Sequence, residues 1–332
     1  MLLLPGYINP TRIFPLLLLI IVPAFSIIVD YDNCVKFSPL TIYPPASNPQ
    51  MRYYLFTPNN QIEGEEIIYQ DFGSLDSSHF NKQWRTRLFV GGWKVFPNNC
   101  RTALLKDAYY EAASYDKPTN FIIADWSDWN TQEYPFAVAD VAYVGELIGD
   151  FINFLYNYGV PYDNIYIIGH SLGAHVAGAA GSSIKPNQVN TIFGLDPDGV
   201  VAGVTLSHIL NPNDAAYVEA IITDMIAGLG YSLPGPIGDA QCYPHFGQRY
   251  QPSCSVLSTD QFCSHAVAVD YFANSLGEGI EFCAIPTTFP NMVLSIAPQD
   301  DGLCTYVMGG DPSQPKNGIL YVPTQTSVPL PP

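Results

Sequence analysis

Positive charge is scarce in this chain. Only 13 Lys and Arg residues stand against 30 Asp and Glu residues, which leaves a formal net charge of −17. No run of basic residues occurs, although such runs are what bind phosphate backbones. The composition therefore excludes nucleic acid as an expected partner, and it predicts repulsion from anionic membrane surfaces.

The sequence also lacks internal repeats, and it has no Cys-x-x-Cys or His-x-x-x-His spacing that would indicate a structural zinc site. Beyond the N-terminal segment, no apolar run is long enough to cross a membrane. Hydrophobic residues make up 48% and charged residues 13% of the 332 positions, which predicts a large core and argues against disorder. One globular domain is the expected organisation.

The N-terminal segment has the pattern of a signal peptide. Arg12 precedes an apolar run, residues 13–24, and the small residues Ala24 and Ser26 stand before Ile27. This pattern predicts a signal peptide over residues 1–26 and secretion. The alternative, a membrane anchor, would need about 20 apolar residues, more than this run contains. Seven cysteines fit a secreted chain with disulfides, and the odd number leaves one without a partner in the chain.

Continuous apolar runs of strand length are typical of parallel strands that are buried on both faces. Apolar residues at helical spacing lie between the second and third runs, over residues 141–155, and Gly159 and Pro161 follow them. The pattern predicts an α/β fold with a mostly parallel, doubly wound sheet. Residues 27–85 are expected to form an irregular edge region, and the chain after Gly199 to consist largely of loops. The four runs are Arg87–Val90, Phe121–Ala124, Ile165–Ile168 and Thr191–Phe193.

The third strand runs directly into Gly169-His170-Ser171-Leu172-Gly173, and a segment rich in small residues follows. A Gly-x-Ser-x-Gly sequence between a strand and a helix is typical of a nucleophile elbow, in which the serine hydroxyl is held out of the sheet. Glycines are expected on both sides because side chains there would collide with the neighbouring strand and helix. The pattern predicts that Ser171 is a nucleophile.

A serine nucleophile needs a base and an acid that orients the base, and in this type of fold they follow in the order Ser, Asp or Glu, His. Asp196 comes directly after the fourth strand, and Asp198 is the alternative acid. The downstream candidates for the base are His265, His208 and His245. Spacing alone does not decide among these histidines.

Three segments resemble the pancreatic lipase family. They are Gly169 to His175, Gly194-Leu195-Asp196-Pro197 and Cys263-Ser264-His265, in the family's order, and the similarity extends over roughly residues 34–328. The resemblance implies an α/β-hydrolase domain over residues 27–332, without a C-terminal β-sandwich domain. It also implies a lipase or phospholipase A1 that needs no cofactor, acts on lipid esters and has no colipase-like partner.

The resemblance implies specific roles for the candidate residues. Ser171 would be the nucleophile, His265 the general base, and Asp196 the acid that orients the imidazole. The backbone N–H groups of Trp93 and Leu172 would form the oxyanion hole.

The chain departs from the family pattern at three positions that support the site. Gly91, Ile222 and Val267 stand where the family usually has His, His and Arg. These departures keep open the alternative of a lipid-binding or yolk-like protein without turnover. His175 matches the family, and we expect it to have a packing role.

The resemblance also indicates a short lid and a set of disulfides. The lid would be the loop between Cys254 and Cys263, as in insect-type members, and short lids in this family accompany phospholipase A1 or galactolipase activity. The implied disulfides are Cys254–Cys263, Cys283–Cys304 and Cys34–Cys100, which leaves Cys242 free. No metal is expected, because Asn211 and Ile209 replace an acid and an arginine at the calcium site of some relatives, leaving mainly Asp214.

Overall fold

The fold is described from a computed structural model of the 332-residue chain. Two compact units are distinct, residues 1–42 and residues 43–332. In the first unit, strands β1 and β2 form a two-stranded antiparallel sheet in which Phe25 pairs with Pro39. The predicted signal peptide lies outside the described residues except for Phe25 and Ser26, and it stays a prediction. The structure describes residues 48–111, 118–199, 205–225, 237–254, 262–277, 281–299, 302–310 and 315–324, and the backbone of 25–28 and 36–39.

The second unit is built on an eleven-stranded sheet with the order β12-β11-β13-β10-β9-β8-β7-β5-β6-β3-β4. The strands from β13 to β6 in this order run parallel. The strands at either edge are antiparallel. The predicted α/β class with a mostly parallel sheet is therefore confirmed. The strands are β1 Phe25–Ile28, β2 Lys36–Pro39, β3 Arg52–Phe56, β4 Glu65–Ile67, β5 Arg85–Val90, β6 Thr119–Asp125, β7 Ile165–His170, β8 Thr191–Leu195, β9 Tyr217–Ile221, β10 Ala240–Pro244, β11 Cys283–Pro286, β12 Tyr306–Val307 and β13 Gly318–Val322.

Helices cover both faces of the sheet, and successive strand residues enter two different cores. Val90 of β5 packs in a core that includes α5 and α6, whereas its neighbour Phe89 packs in a core that includes α2 and α7. This alternation explains why the central strands contain continuous apolar runs, such as Leu88–Val90 in β5 and Phe121–Ala124 in β6. The helices are α1 Phe72–Asp76, α2 Cys100–Glu111, α3 Ser127–Asn130, α4 Tyr134–Ala139, α5 Val141–Tyr158, α6 Leu172–Ser183, α7 Cys263–Ser275 and α8 Phe289–Val293.

The helix predicted between the second and third strands is α5, and it ends as expected. Gly159 has a φ of 111°, a left-handed conformation that glycine adopts without strain, and its N–H bonds to the last turn. On the side facing α6, Gly145 allows close contact, because a Cβ atom there would lie 2.3 Å from the Cβ of Ala179. Small residues therefore bring α5 and α6 together behind the elbow.

The expectation of loops after Gly199 was wrong in part. β9 and β10 extend the parallel sheet beyond β8, and β13 follows them. Among the described residues, no helix is both long enough and apolar enough to cross a bilayer.

Two of the implied disulfides are present, Cys254–Cys263 and Cys283–Cys304, and Cys242 is a buried free thiol as expected. Cys100 is disulfide-bonded, and its implied partner Cys34 lies outside the described residues.

Candidate active site

Ser171 sits at the sharp turn between β7 and α6. Its φ and ψ are 58° and −127°, a strained conformation for a residue with a side chain. Both flanking glycines are needed for space. A Cβ atom on Gly169 would lie 2.4 Å from the carbonyl oxygen of Gly173, and one on Gly173 would lie 2.3 Å from the carbonyl oxygen of Val90. The turn thus has the geometry of a nucleophile elbow.

The loop after β5 lies directly against this serine. A Cβ atom on Gly92 would be 2.6 Å from the Cβ of Ser171, so only glycine lets the loop approach so closely. Trp93, one of the two predicted oxyanion donors, follows this glycine in the chain. Leu172, the other, is the first residue of α6, where backbone N–H groups have no acceptor within the helix.

Side chains from the segment after β6 hold this loop in place, although Gly91 replaces the histidine of the family. The indole N–H of Trp126 donates to the carbonyl oxygen of Gly91 at 2.7 Å. The amide of Asn130 donates to the carbonyl oxygens of Gly92 and Val95, both at 3.0 Å. No pattern in the sequence indicates that Asn130 makes these contacts. These bonds fix the backbone of the loop that lies against Ser171.

His265 connects Ser171 to Asp196. Its Nε2 lies 2.7 Å from the Oγ of Ser171, and its Nδ1 lies 2.5 Å from Oδ2 of Asp196. His265 lies in the first turn of α7. The structure therefore brings together the three side chains that the family resemblance indicates, with His265 between Ser171 and Asp196.

Asp196 follows β8 and is fully buried, so its charge needs internal donors. Its Oδ1 accepts hydrogen bonds from the backbone N–H groups of Thr223 at 2.6 Å and Asp224 at 3.0 Å. These donors come directly after β9. The carboxylate is thereby oriented so that its other oxygen faces His265.

The charges around His265 favour its protonated form. Burial lowers the pKa of His265, but the hydrogen bond and charge of Asp196 outweigh this effect, and the net pKa is raised above the ordinary 6.5. The charges of Asp198 and Asp224 act in the same direction. Burial and the charge of Asp196 raise the pKa of Asp224 to about 6. Both carboxyl oxygens of Asp224 are buried without a hydrogen-bond partner in the part of the chain that is described.

The alternative acid and bases have other contacts. Asp198 accepts a hydrogen bond from the hydroxyl of Tyr134 at 2.7 Å. His208 lies 2.9 Å from Asp214, and His245 lies in a short 3-10 helix after β10, with its ring near that of Phe246. None of the three occupies the position between Ser171 and Asp196.

The residues at the other two departures from the family pattern pack against apolar neighbours. Ile222 and Val267 are buried in apolar clusters, where the family usually has charged or polar side chains.

His175 is fully buried. Its Nδ1 accepts the N–H of Leu210 at 3.1 Å, and its Nε2 lies 2.8 Å from the carbonyl oxygen of Asp198. These contacts agree with the expected packing role of His175.

The residues at the calcium position of relatives bind one another. Asp214 accepts hydrogen bonds from the backbone N–H of Asn211 at 2.9 Å and from its side chain. Elsewhere in the described residues, one group of possible metal ligands comprises Glu281, Cys283 and Cys304. The two cysteines are joined in a disulfide and offer no thiolate.

Cys254 and Cys263 bound the predicted lid. Residues 255–261 lie outside the described residues, so the lid itself stays a prediction. Phe262, at its C-terminal end, is exposed.

The known proteins that this chain resembles in sequence include lipases and a phospholipase A1. Phospholipase A1 member A of Bos taurus is 31% identical over 261 residues, covering 77% of this chain and 55% of the relative. Pancreatic lipase-related protein 2 of Cavia porcellus is 30% identical over 236 residues, or 68% of this chain and 51% of the relative. Lipoprotein lipase of Rattus norvegicus is 31% identical over 259 residues, or 69% and 52%. The chain spans about half the length of these relatives.

Solved structures that align with part of this chain include hydrolases and esterases. A putative hydrolase of the alpha/beta superfamily from Xanthomonas campestris aligns with a TM-score of 0.30 and 14% identity, covering 41% of this chain and 70% of that one. An esterase from Thermogutta terrifontis aligns with a TM-score of 0.29 and 13% identity, covering 55% and 70%. These TM-scores are too low to relate the active sites of the proteins.

The model of the Lipase family matches residues 32–289. That match covers more than half of the chain, and the mostly parallel sheet with its elbow has the α/β-hydrolase fold. The resemblance to the pancreatic lipase family is therefore confirmed, and the chain belongs to the Lipase family.

Proposed function

We propose that this protein is a secreted hydrolase of lipid carboxylic esters, with Ser171 as its nucleophile. The observation that carries the proposal is the chain of contacts from Ser171 through His265 to Asp196, at 2.7 and 2.5 Å, on a strained elbow. Membership of the Lipase family supports a lipid ester as the substrate. The signal-peptide pattern and the disulfides support secretion.

The proposed reaction proceeds through an acyl-enzyme. The Oγ of Ser171 attacks the ester carbonyl while Nε2 of His265 takes the hydroxyl proton. The N–H groups of Leu172 and Trp93 stabilise the negative charge that develops on the carbonyl oxygen. His265 then donates its proton to the departing alcohol, leaving the acyl group on Ser171. His265 then deprotonates a water molecule that attacks the acyl carbon, and it returns the proton to the Oγ of Ser171 as the fatty acid leaves.

Asp196 supports both proton transfers. It keeps the proton of neutral His265 on Nδ1, so that Nε2 faces the serine as an acceptor, and it stabilises the imidazolium that forms. Thr223 and Asp224 hold the carboxylate in that orientation through their backbone N–H groups.

The nucleophile is tested by Ser171→Ala. We expect the rate of ester hydrolysis to fall by about 10⁴-fold or more, because the elbow presents this hydroxyl to the base. The far-ultraviolet circular dichroism spectrum should be unchanged. A serine-directed phosphonate should label the wild type at Ser171 and leave the variant unlabelled. A wild type that neither hydrolyses esters nor reacts with the phosphonate would favour the alternative, a lipid-binding protein without turnover.

The substrate class is tested with triacylglycerol, phosphatidylcholine and galactolipid. The predicted lid spans only Ser255 to Phe262, which is too short for a folded helical flap. We therefore expect the active site to be open without a lipid–water interface, and phosphatidylcholine or galactolipid to be slightly favoured over triacylglycerol. The rate should increase smoothly as dioctanoyl-phosphatidylcholine passes its solubility limit. A sharp rise at that limit, without activity on monomers, would show that another loop acts as the lid.

A further inference from the structure

His170 contacts the proposed base, although the reaction makes no use of it. It is the last residue of β7 and directly precedes Ser171. Its Nε2 lies 3.2 Å from the backbone carbonyl oxygen of His265, and the centroids of the two imidazole rings lie 4.9 Å apart. The residue is 7% exposed.

The chemistry of this contact fixes the state of His170. A carbonyl oxygen only accepts, so the hydrogen must be on Nε2 of His170. Burial, followed by the nearby His265, lowers the pKa of His170 to about 3. The other charged groups that act on it are Asp196 and Arg101. His170 is therefore a neutral donor with one tautomer throughout the neutral pH range.

We propose that His170 is a positioning residue that holds His265 at its distance from Ser171; the inference rests on the proposed function of that pair. The two residues are 94 positions apart, on the elbow and on α7. Their own hydrogen bond changes each time a proton is transferred. The bond from His170 joins the chain neighbour of the nucleophile to the backbone of the base, and proton transfer leaves this bond in place.

Holding the base in this way matters because the rate depends steeply on alignment. A displacement of about 1 Å in a reacting group lowers a rate by up to about 10²-fold. A backbone contact acts on the whole first turn of α7, whereas Asp196 orients only the imidazole. The two contacts therefore restrain different movements of His265.

Two substitutions separate the bond from the packing. His170→Leu removes the donor and keeps an apolar side chain of similar bulk. His170→Gln keeps an N–H donor near the position of Nε2. His175→Leu is the matched control, because His175 is also buried but bonds Asp198 and Leu210 instead.

The first readout is kinetics on a water-soluble short-chain ester. We expect His170→Leu to lower kcat by about 10- to 100-fold with little change in KM, and His170→Gln to restore kcat to within about threefold of wild type. His175→Leu should lower the melting temperature without this loss of kcat. An active wild type whose kcat is unchanged by His170→Leu, or a Gln variant as slow as the Leu variant, would overturn the proposal.

The second readout does not require turnover. Carbon-13 labelling of histidine Cε1 allows the pKa of His265 to be measured by NMR titration. In His170→Leu the contact between His265 and Asp196 should loosen, so the pKa of His265 should fall toward its ordinary value, and in His175→Leu it should stay as in wild type. If the wild type proves inactive, the proposed function fails, and this titration alone decides the role of His170. An unchanged pKa in His170→Leu would then count against it.

Discussion

His265 determines the pH range in which the proposed hydrolase works. A general base must be neutral to accept a proton, so activity is lost as pH falls through its pKa. Because Asp196 raises this pKa, the acid limb of kcat/KM should lie above 6.5.

Replacing Asp196 with Asn removes the main cause of the raised pKa. The acid limb should move to lower pH, and kcat should fall by about 10⁴-fold, because the amide also disturbs the imidazole tautomer. The measurement is kcat/KM for a soluble ester from about pH 5 to 9. Asp163→Asn makes the same charge change on an exposed residue before β7, at the end of the strand away from the site, and should leave the limb in place. A limb below 6.5 in wild type would contradict the prediction.

Residue patterns could predict only part of this site. Ser171 and Asp196 follow apolar strands, and the ends of parallel strands gather at one edge of the sheet. The choice of His265 depended on family resemblance, because its position after Cys263 and before an apolar helical stretch does not by itself exclude His208 or His245. Asn130 and His170 act through bonds to residues 35 to 95 positions away, and such pairings exist only in the folded chain.

The packing of α5 against α6 supports the elbow from behind. Gly145→Ala would gain about 1 kcal/mol of helix propensity. However, its Cβ would lie 2.3 Å from the Cβ of Ala179 and 3.0 Å from backbone atoms, which cannot move cheaply. The overpacking should cost about 1–3 kcal/mol and prevail.

We therefore expect a lower melting temperature for Gly145→Ala in a thermal unfolding experiment. Gly277→Ala is the control, because the nearest atom to its Cβ would be 3.6 Å away. That variant should be as stable as the wild type. Equal stability of the two variants would mean that the helices can separate without cost.

The later strands show why the sheet could be predicted only in part. β5 to β8 are recognisable because each contains a run of consecutive apolar residues. β9 contains Glu219, and β10 contains Gln241 and Cys242, yet all three side chains are buried. Buried polar groups interrupt the apolar pattern, and the charge of Glu219 is tolerated because partners from a distant segment, Gly309 and Lys316, bind it.

Glu219 and Lys316 link distant parts of the chain across the sheet. The Nζ of Lys316 lies 2.6 Å from Oε2 of Glu219, and both side chains are fully buried. Glu219 also accepts the backbone N–H of Gly309 at 2.7 Å and the hydroxyl of Tyr217 at 3.1 Å. A buried ion pair contributes little compared with apolar packing, but removal of one partner is costly.

Lys316→Met should lower the free energy of unfolding by about 3–5 kcal/mol, because the carboxylate of Glu219 loses its counter-charge. Urea unfolding measures the loss. Addition of Glu219→Gln to the same chain should recover much of it, since the remaining charge is then gone. A single variant as stable as the wild type would show that other donors suffice for Glu219.

Cys242 lies in β10, between β9 and β13 and beside Glu219, and no part of its side chain reaches solvent. Burial also raises the pKa of its thiol, so the reactive thiolate is rare in the folded protein. A thiol reagent can therefore modify this sulfur only when the middle of the sheet opens. Under native conditions, the rate of modification depends on how often the sheet opens. This rate therefore measures the free-energy difference between the closed sheet and its open form. The natural Cys242 thus reports opening of the core, and no engineered cysteine is needed.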